Sequence, residues 1–264
     1  RTWDEICVGD FAAFCTDEIK AGAAAAAPAA AAATGEKPAG SIAVLLPDSA
    51  SSARWENDDR KFLSAAFEAA GVDFSISNAE GDAAAQQTQA EQALTNGAKV
   101  LLLVNLDSGS GAAIIAKARE AGVKVIDYDR LTIEGDGADF YVSFDNEAVG
   151  KLQGEGLVKA CTKENAKVAV LNGSPTDNNA TLFANGYNGV INAKFDDKSW
   201  TKVDDQSVPD WDNQKALTIF EQMLTAKGEI DCAIAANDGL AQAVISALEN
   251  AGLDPIPVTG QDAT

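Results

Sequence analysis

The chain has 264 residues, of which 46% are hydrophobic, and its formal net charge is −20 with no histidine. This length suits one large domain or two of ordinary size with a buried core. The negative charge argues against nucleic acid or an anionic membrane surface as a partner, because both are polyanions. Without histidine a Ser-His-Asp triad is excluded, although Asp, Glu and Lys chemistry stays open.

Residues 1–40 differ in composition from the rest of the chain. Residues 21–40 are rich in alanine, are broken by Pro28 and Pro38, and contain none of the larger apolar residues that a core needs. The segment is therefore predicted to be a leader followed by a linker or a marginal helix. The chain has no stretch of about 18 apolar residues with membrane character. No signal peptide remains at its start, which predicts a mature form if the protein is exported.

The four cysteines are Cys7, Cys15, Cys161 and Cys232. Their even number suits disulfides in an oxidising compartment, and no C-x-x-C pair is present. A Cys7–Cys15 bridge is the first candidate and a Cys161–Cys232 bridge the second. Free buried thiols are the alternative for both pairs.

From residue 41 onward, apolar β-rich runs alternate with stretches of helical period. The runs predict strands at 41–47, 73–79, 99–105, 123–129, 140–146, 167–173, 201–208, 230–237 and 256–262. Helices are predicted before Gly71, near 147–161, from about 179, near 212–227 and near 239–251. Such alternation requires parallel sheets with helices on both faces. The sequence therefore predicts an α/β fold with an N-terminal lobe at 41–145 and a C-terminal lobe at 146–264.

Polar and aromatic side chains follow the ends of the predicted strands. They are Arg54, Trp55, Asn105, Asp107, Asp129, Arg130, Asp145, Asn146, Asp177, Asn178, Asn179, Trp211, Asn237, Asp238, Gln261 and Asp262. In open parallel sheets, ligands bind at the carboxyl ends of the strands. Helix capping would explain the Asp and Asn residues taken singly, but it does not explain the arginines and tryptophans.

These residue types suit a small polyhydroxylated ligand. Carboxylate, amide and guanidinium groups can hold vicinal hydroxyls in paired hydrogen bonds, and an indole ring can cover the apolar face of a sugar. Trp211 could instead pack onto its own helix as an entry staple, and Trp55 could be an ordinary residue of an amphipathic helix. Both alternatives stay open at this point.

Seven motifs carry a resemblance to a known family. They are ARWENDDRKF, VIDYDR, DFYVSFDNEAVG, NGSPTDNNATLF, DWDNQKAL, AANDGLA and TGQDA. From about residue 41 to the last residue, the chain resembles the D-xylose-binding proteins of bacterial ABC transporters, a branch of the ribose-type periplasmic sugar-binding proteins. The resemblance implies two lobes joined by a hinge, as in type I periplasmic binding proteins. It also implies that the chain is not an enzyme and has no catalytic residues, metal or cofactor.

The resemblance implies a site and partners as well. The implied sugar-binding residues are Arg54, Trp55, Asp129, Arg130, Asp177, Asn179, Trp211, Asn237 and Asp262. Asp145 and Asn146 would mark the hinge crossing. The implied partners are a monosaccharide, with the pentose D-xylose first, and a membrane ABC permease. The protein would be extracytoplasmic, in the periplasm or anchored at the cell surface, and monomeric when complete.

The chain departs from this family in two respects, because the leader with Cys7 and Cys15 lies outside the part that resembles it and because the sequence stops at Thr264. Family members continue with a strand that returns to the first lobe and carries a sugar-contacting lysine. The resemblance thus implies an incomplete C-terminal lobe, and we expect that these residues are not the whole functional unit.

Other functions have weaker signals. Neither a dinucleotide fingerprint nor a P-loop occurs, and a glycosidase carboxylate pair has only capping-type residues to support it. The main alternative is a sugar-sensing regulatory or chemoreceptor-partner module with the same fold. A repressor of this type would carry a basic helix-turn-helix at its N-terminus, and that end of this chain is acidic.

Overall fold

The computed structural model describes residues 40–262. The predicted leader, most of the Ala-rich linker and the cysteines Cys7 and Cys15 lie outside the described residues. Within that range, no helix combines the length and the apolar character needed to cross a membrane.

Strands and helices alternate through the described part of the chain. The strands are β1 (Ser41–Leu46), β2 (Asp73–Asn78), β3 (Ala98–Leu103), β4 (Lys124–Tyr128), β5 (Phe140–Val142), β6 (Ala166–Asn172), β7 (Trp200–Ser207), β8 (Cys232–Ala235) and β9 (Val258–Thr259). The helices are α1 (Arg60–Ala70), α2 (Ala83–Thr95), α3 (Ser108–Glu120), α4 (Asn146–Ala160), α5 (Asn178–Asp196), α6 (Asn213–Lys227) and α7 (Asp238–Asn250). A π-helical turn at Trp55–Asp59 leads into α1, and a 3-10 turn at Pro209–Trp211 precedes α6.

The strands form two parallel sheets, as the alternating pattern predicts. The first sheet has the order β2-β1-β3-β4-β5 and the second has the order β7-β6-β8-β9. We call β1–β5 with α1–α3 the first lobe, and β6–β9 with α4–α7 the second lobe. In each sheet the chain order reverses beside the first strand, β1 or β6, so the loops that follow these strands open a crevice at the carboxyl edge.

The first sheet is buried on both faces, which explains its nearly continuous apolar strands. Ala43 and Leu45 of β1 face a core that includes Ile114 of α3, whereas Val44 and Leu46 face a separate core on the side of α1. Successive strand residues point to opposite faces, so one apolar run fills both cores. This arrangement confirms the doubly wound fold.

Helices α4 and α5 pack with their backbones in contact. A Cβ atom on Gly150 would lie 2.1 Å from the carbonyl oxygen of Phe183, and one on Gly186 would lie 2.1 Å from the carbonyl oxygen of Glu147. Only glycine allows this approach. The close packing brings the N-terminal ends of α4 and α5 side by side.

A disulfide joins Cys161, which caps the C-terminal end of α4, to Cys232 at the start of β8. The two Cα atoms are 6.0 Å apart, within the usual range for a disulfide. The structure thus forms the second candidate pair, and the alternative of free thiols is wrong for these two cysteines.

Three predicted strands are markedly shorter than expected. The run at 140–146 ends as a strand at Val142, because the side chain of Asp145 accepts a hydrogen bond from the amide of Ala148 and starts α4. The run at 230–237 keeps only Cys232–Ala235 as a strand, and the run at 256–262 keeps only Val258–Thr259. In each case the residues that follow the strand belong to the loops around the cavity.

Strand β5 lies at the edge of the first sheet, and its neighbourhood is apolar and exposed. Phe140 is 63% exposed, Val142 is 54% exposed, and Phe144, just after the strand, is 74% exposed. Exposed apolar edge strands favour association with other protein surfaces.

Candidate functional site

A cavity of about 440 Å³ lies between the carboxyl edges of the two sheets. All nine residues predicted to bind a ligand line it. From the first lobe these are Arg54, Trp55, Asp129 and Arg130, and from the second lobe Asp177, Asn179, Trp211, Asn237 and Asp262. The fold thus gathers them in one place, and their role in binding stays a prediction.

The loop after β1 positions Trp55. The indole Nε1 donates to Ser51 Oγ at 3.1 Å, and Ser51 is held in turn by the carboxylate of Asp48. The Trp55 ring is buried and belongs to the core that contains Val44 and Leu46. Its π-helical turn is a local distortion of the kind often found at functional sites. Trp55 therefore lines the cavity and also serves the first-lobe core.

Arg54 lies between two carboxylates of its own lobe. Its Nη2 atom is 2.5 Å from Asp129 Oδ2, and its Nε atom is 2.9 Å from Asp59 Oδ2. Burial opposes the charged form of Arg54, but the nearby carboxylates outweigh this effect and raise its pKa. The guanidinium also lies over the Trp55 ring, with its carbon 4.1 Å from the ring centroid. Arg54 is thus a permanently charged wall of the cavity.

Asp129 is held in a tight turn at the end of β4. Its φ angle is +69°, and the amide of Arg130 donates to the carbonyl oxygen of Tyr128 at 2.9 Å. A non-glycine residue in this conformation is strained, and such strain occurs most often at functional sites. Asn105, the buried residue after β3, donates to the carbonyl oxygen of Arg130 at 3.1 Å. Asn105 thus supports the turn and is not brought to the cavity.

Arg130 is buried and makes its contacts in both lobes. Its Nη1 atom donates to the carbonyl oxygen of Asn105 at 3.2 Å, and its Nη2 atom donates to Ser51 Oγ at 3.3 Å. Its Nε atom lies 3.1 Å from Asp177 Oδ2 in the second lobe. Burial raises the pKa of Asp177, and the charge of Arg130 opposes that rise.

Asp177 also organises its own lobe. It caps α5, because its Oδ1 atom accepts from the amide of Asn179 at 2.9 Å, and its Oδ2 atom accepts from Trp211 Nε1 at 3.0 Å. The capping alternative is therefore correct for Asp177, but it accounts for one oxygen only. The other oxygen faces Trp211 and Arg130.

Trp211 is fixed by contacts with other elements of the second lobe. A Cβ atom on Gly173 would lie 2.0 Å from the indole ring, and the Phe183 ring meets the indole edge to face at 6.4 Å. Trp211 and the preceding Asp210 both have positive φ angles, of 56° and 62°. Gly173 after β6 is thus required for the ring to lie flat against the end of the second sheet.

Asn179 links the two lobes through its amide group. Its Nδ2 atom donates to Asp129 Oδ1 at 2.9 Å and to the Asp129 carbonyl oxygen at 3.2 Å. Its Oδ1 atom accepts from Asn146 Nδ2, also at 2.9 Å. Asn146, predicted as a hinge residue, is the first residue of α4 and lines the cavity, whereas Asp145 caps that helix.

The last two predicted residues lie after β8 and β9. Asn237 is buried and caps α7 through the amide of Leu240. Asp262 keeps exposed surface, but the surrounding protein partly withdraws its carboxyl from water and raises its pKa to about 6. Arg54 opposes this shift, and the carboxylates of Asp238 and Asp129 add to it. The cavity therefore concentrates acidic groups, as the overall charge of the chain would suggest.

Comparison with known proteins gives a consistent picture. Residues 42–264 match the family model described as a periplasmic binding protein domain. The chain belongs to the periplasmic binding protein domain family. It is 38% identical over 212 residues to the D-xylose-binding periplasmic protein of Haemophilus influenzae, covering 80% of this chain and 63% of that protein. It is 32% identical over 246 residues to a multiple sugar-binding periplasmic protein of Azospirillum brasilense, covering 86% of this chain and 68% of that protein.

The fold is similar to that of solved members of this family. A solute-binding protein of an ABC transporter from Clostridium phytofermentans, with bound β-D-glucose, superimposes with a TM-score of 0.79 at 28% identity. The match covers 85% of this chain and 73% of that one. The periplasmic binding protein fold is thus shared, while the present chain spans 63% of the length of the Haemophilus relative.

Other cavity residues of this periplasmic binding protein domain were not predicted from the sequence. They are Ser51, Ser52, Phe144, Val149 and Phe183, whereas Gln261 was predicted at the strand ends without a binding role and Asn146 only for the hinge. Phe183 follows Asn179 by four residues on α5, so helical period alone places both on one face. Ser51 and Phe144 carry no comparable signal, because their position depends on loop conformation.

Proposed function

We propose that this chain is the ligand-binding part of an extracytoplasmic solute-binding protein that captures a monosaccharide, with D-xylose first among the candidates, and delivers it to an ABC importer. The role is binding without chemistry. Closure of two lobes over the sugar would bring both walls of the cavity into contact with it. The proposal is supported by the named substrates of the relatives, which include D-xylose and several sugars.

The observation that carries the proposal is the composition of the cavity walls. Two buried indoles, Trp55 and Trp211, come from opposite lobes, and carboxylate and amide groups line the same cavity. A sugar presents apolar C–H faces and a rim of hydroxyls that both donate and accept. Indole rings and polar side chains on the walls of one cavity suit that pattern. The volume also falls within the usual range for small-molecule pockets.

The charges of the cavity favour a neutral sugar over an anionic one. Arg54 and Arg130 are each paired with a carboxylate, and Asp262 adds a third carboxylate to the walls. A uronic acid or a sugar phosphate would therefore meet no unpaired guanidinium and would be repelled. We expect a neutral aldose to bind and the uronic acid with the same ring to be rejected.

Isothermal titration calorimetry on the chain tests this function. The panel contains D-xylose, D-ribose, D-glucose and D-glucuronate. We expect saturable one-site binding of a neutral monosaccharide, tightest for D-xylose, and no binding of D-glucuronate. The variant Asn237→Ala should weaken binding, since it removes a polar group of the cavity. Lys163→Met should not, because Lys163 pairs with Glu229 and Asp231 at the amino ends of β6 and β8, the opposite edge of the sheet from the cavity.

Two results would contradict the proposal. If no neutral monosaccharide binds, the sugar-binding function is wrong for this chain. If D-glucose binds more tightly than D-xylose, sugar capture stands and the pentose assignment is wrong.

A further inference from the structure

Two direct side-chain contacts join the lobes across the cavity. Arg130, after β4 of the first lobe, forms an ion pair with Asp177 at the start of α5, with 3.1 Å between Nε and Oδ2. Asn179, also at the start of α5, donates both to the carboxylate and to the carbonyl oxygen of Asp129. All four groups belong to the protein, so each contact stabilises the closed arrangement of the lobes by itself.

We propose that these two pairs form a latch that closes the lobes independently of any ligand. By "latch" we mean the pairs Arg130–Asp177 and Asn179–Asp129. The latch goes beyond the proposed function, because it concerns the equilibrium between open and closed lobes and does not depend on which molecule the cavity accepts.

A buried ion pair stabilises closure only if the cost of removing its charges from water is small. Here hydrogen-bond partners within each lobe offset part of that cost. Arg130 is held in the first lobe by the carbonyl oxygen of Asn105 and by Ser51. Asp177 is held in the second lobe by Trp211 and by the amide of Asn179. Both charged groups are therefore oriented before the lobes meet, and closure adds the mutual attraction at little further cost in side-chain entropy.

The second pair is oriented in the same way. Asn146 at the start of α4 donates from its Nδ2 atom to the side-chain Oδ1 atom of Asn179. The Nδ2 atom of Asn179 therefore points at the first lobe. Arg54 holds the Asp129 carboxylate from the opposite side. The tight packing of α4 on α5 keeps Asn146 and Asn179 in register. Each half of the latch is thus a rigid surface that is complementary to the other.

The latch has a consequence for binding. When only the closed state contacts a ligand on both sides, the apparent affinity scales with the fraction of molecules that are already closed. A protein with a strong latch would bind with little rearrangement. Weakening the latch would lower the apparent affinity through this fraction, in addition to any loss of direct contacts, since all four latch residues also line the cavity.

Double electron–electron resonance on the full chain without added sugar tests the latch. Spin labels are placed through non-canonical amino acids at Asn57 and Thr181, which are exposed and belong to opposite lobes. Because this labelling needs no added cysteine, the Cys161–Cys232 disulfide stays intact. The parent protein should show a dominant short distance.

Three variants weaken the latch in different ways. Arg130→Met removes the cation, and Asp177→Asn keeps the helix cap but removes the anion. Asn179→Asp keeps the shape of the side chain and sets a carboxylate against that of Asp129, and an acidic residue in the first turn of α5 is well tolerated. Each variant should raise the ratio of open to closed molecules by about tenfold or more, as expected for loss of a charged hydrogen bond.

The control is Lys163→Met, which removes one positive charge from an ion pair inside the second lobe and should leave the distance distribution unchanged. Far-UV circular dichroism identifies any variant that fails to fold. The distance distributions of the folded variants then test the latch. Identical distance distributions in the parent and in every folded latch variant would overturn the proposal, whether that distribution is open or closed. Because no sugar is added, this result is independent of whether the chain binds a monosaccharide.

Discussion

Replacing Asp177 by alanine and by asparagine separates the roles of one buried side chain. In the structure its Oδ1 atom caps α5, and its Oδ2 atom accepts from Trp211 and faces Arg130. Alanine removes all three contacts. Asparagine keeps the cap, since Asn and Asp cap helices equally well. It has only one acceptor oxygen, so the atom that faces Trp211 and Arg130 becomes an NH2 donor, and both the indole contact and the charge opposite Arg130 are lost.

The magnitudes follow from these contacts. Both variants lose the anion opposite Arg130, which costs about 1.5–3 kcal/mol, the range for a charged hydrogen bond, since Arg130 keeps its contacts with Asn105 and Ser51. Both also leave the Trp211 nitrogen without its acceptor, at a cost of about 1–3 kcal/mol. Alanine loses in addition about 1 kcal/mol for the cap.

The assay is urea unfolding followed by far-UV circular dichroism, with the free energy of unfolding obtained by linear extrapolation. We expect Asp177→Ala to be less stable than Asp177→Asn by about 1 kcal/mol, the contribution of the cap. The loss that both variants share is a large part of the roughly 5–15 kcal/mol that is typical of a folded domain, so the alanine variant would be only marginally stable. The variant Lys117→Met, which breaks an ion pair between two exposed side chains of the first lobe, should unfold at nearly the same urea concentration as the parent. Equal stability of the alanine and asparagine variants would refute the cap at Asp177, and an asparagine variant as stable as the parent would refute the contacts of Oδ2.

Three further predictions concern other parts of the molecule. Gly173→Ala should push the Trp211 ring out of place, because the added Cβ would lie 2.0 Å from it. Tryptophan fluorescence should then change and sugar affinity should fall. An unchanged emission spectrum would contradict this packing. Replacing both Cys161 and Cys232 by serine should lower the free energy of unfolding by about 4 kcal/mol on the chain-entropy account, since the bridge spans 71 residues. Urea unfolding compares this variant with the oxidised parent. A loss below about 1 kcal/mol would contradict the chain-entropy account. Asp262, with its pKa raised to about 6, binds a proton more readily in the folded than in the unfolded chain, so its contribution to stability should grow as the pH falls from about 7 towards 4. Asp262→Asn should flatten that part of the curve of unfolding free energy against pH, and superimposable curves for parent and variant would show that Asp262 titrates normally.

Much of the fold can be predicted from local sequence signals. Strands and helices follow from apolar periodicity, because a buried strand and an amphipathic helix require different spacings of apolar residues. The parallel sheets follow from the alternation of these elements. The polar residues at strand ends can be predicted in the same way, since every parallel strand ends at one edge. Where prediction failed, as at 143–146, a capping residue ended the strand early.

The strand-end pattern together with the family resemblance predicted which residues line the cavity, because parallel strands bring their carboxyl-end loops to one edge. Strand ends alone were not sufficient, since Asn105, Asp107 and Asp238 also follow strands and do not line the cavity. The sequence did not determine how the cavity residues pair. The Arg130–Asp177 ion pair and the Asn179–Asp129 hydrogen bonds join residues that are 47 and 50 positions apart and lie in different lobes. Such contacts depend on the orientation of one sheet relative to the other, and no local pattern encodes that orientation. The Cys161–Cys232 bridge was left open for the same reason, since a disulfide requires two Cα atoms to lie within a few ångströms of each other, and only the packing of α4 against the second sheet brings them that close.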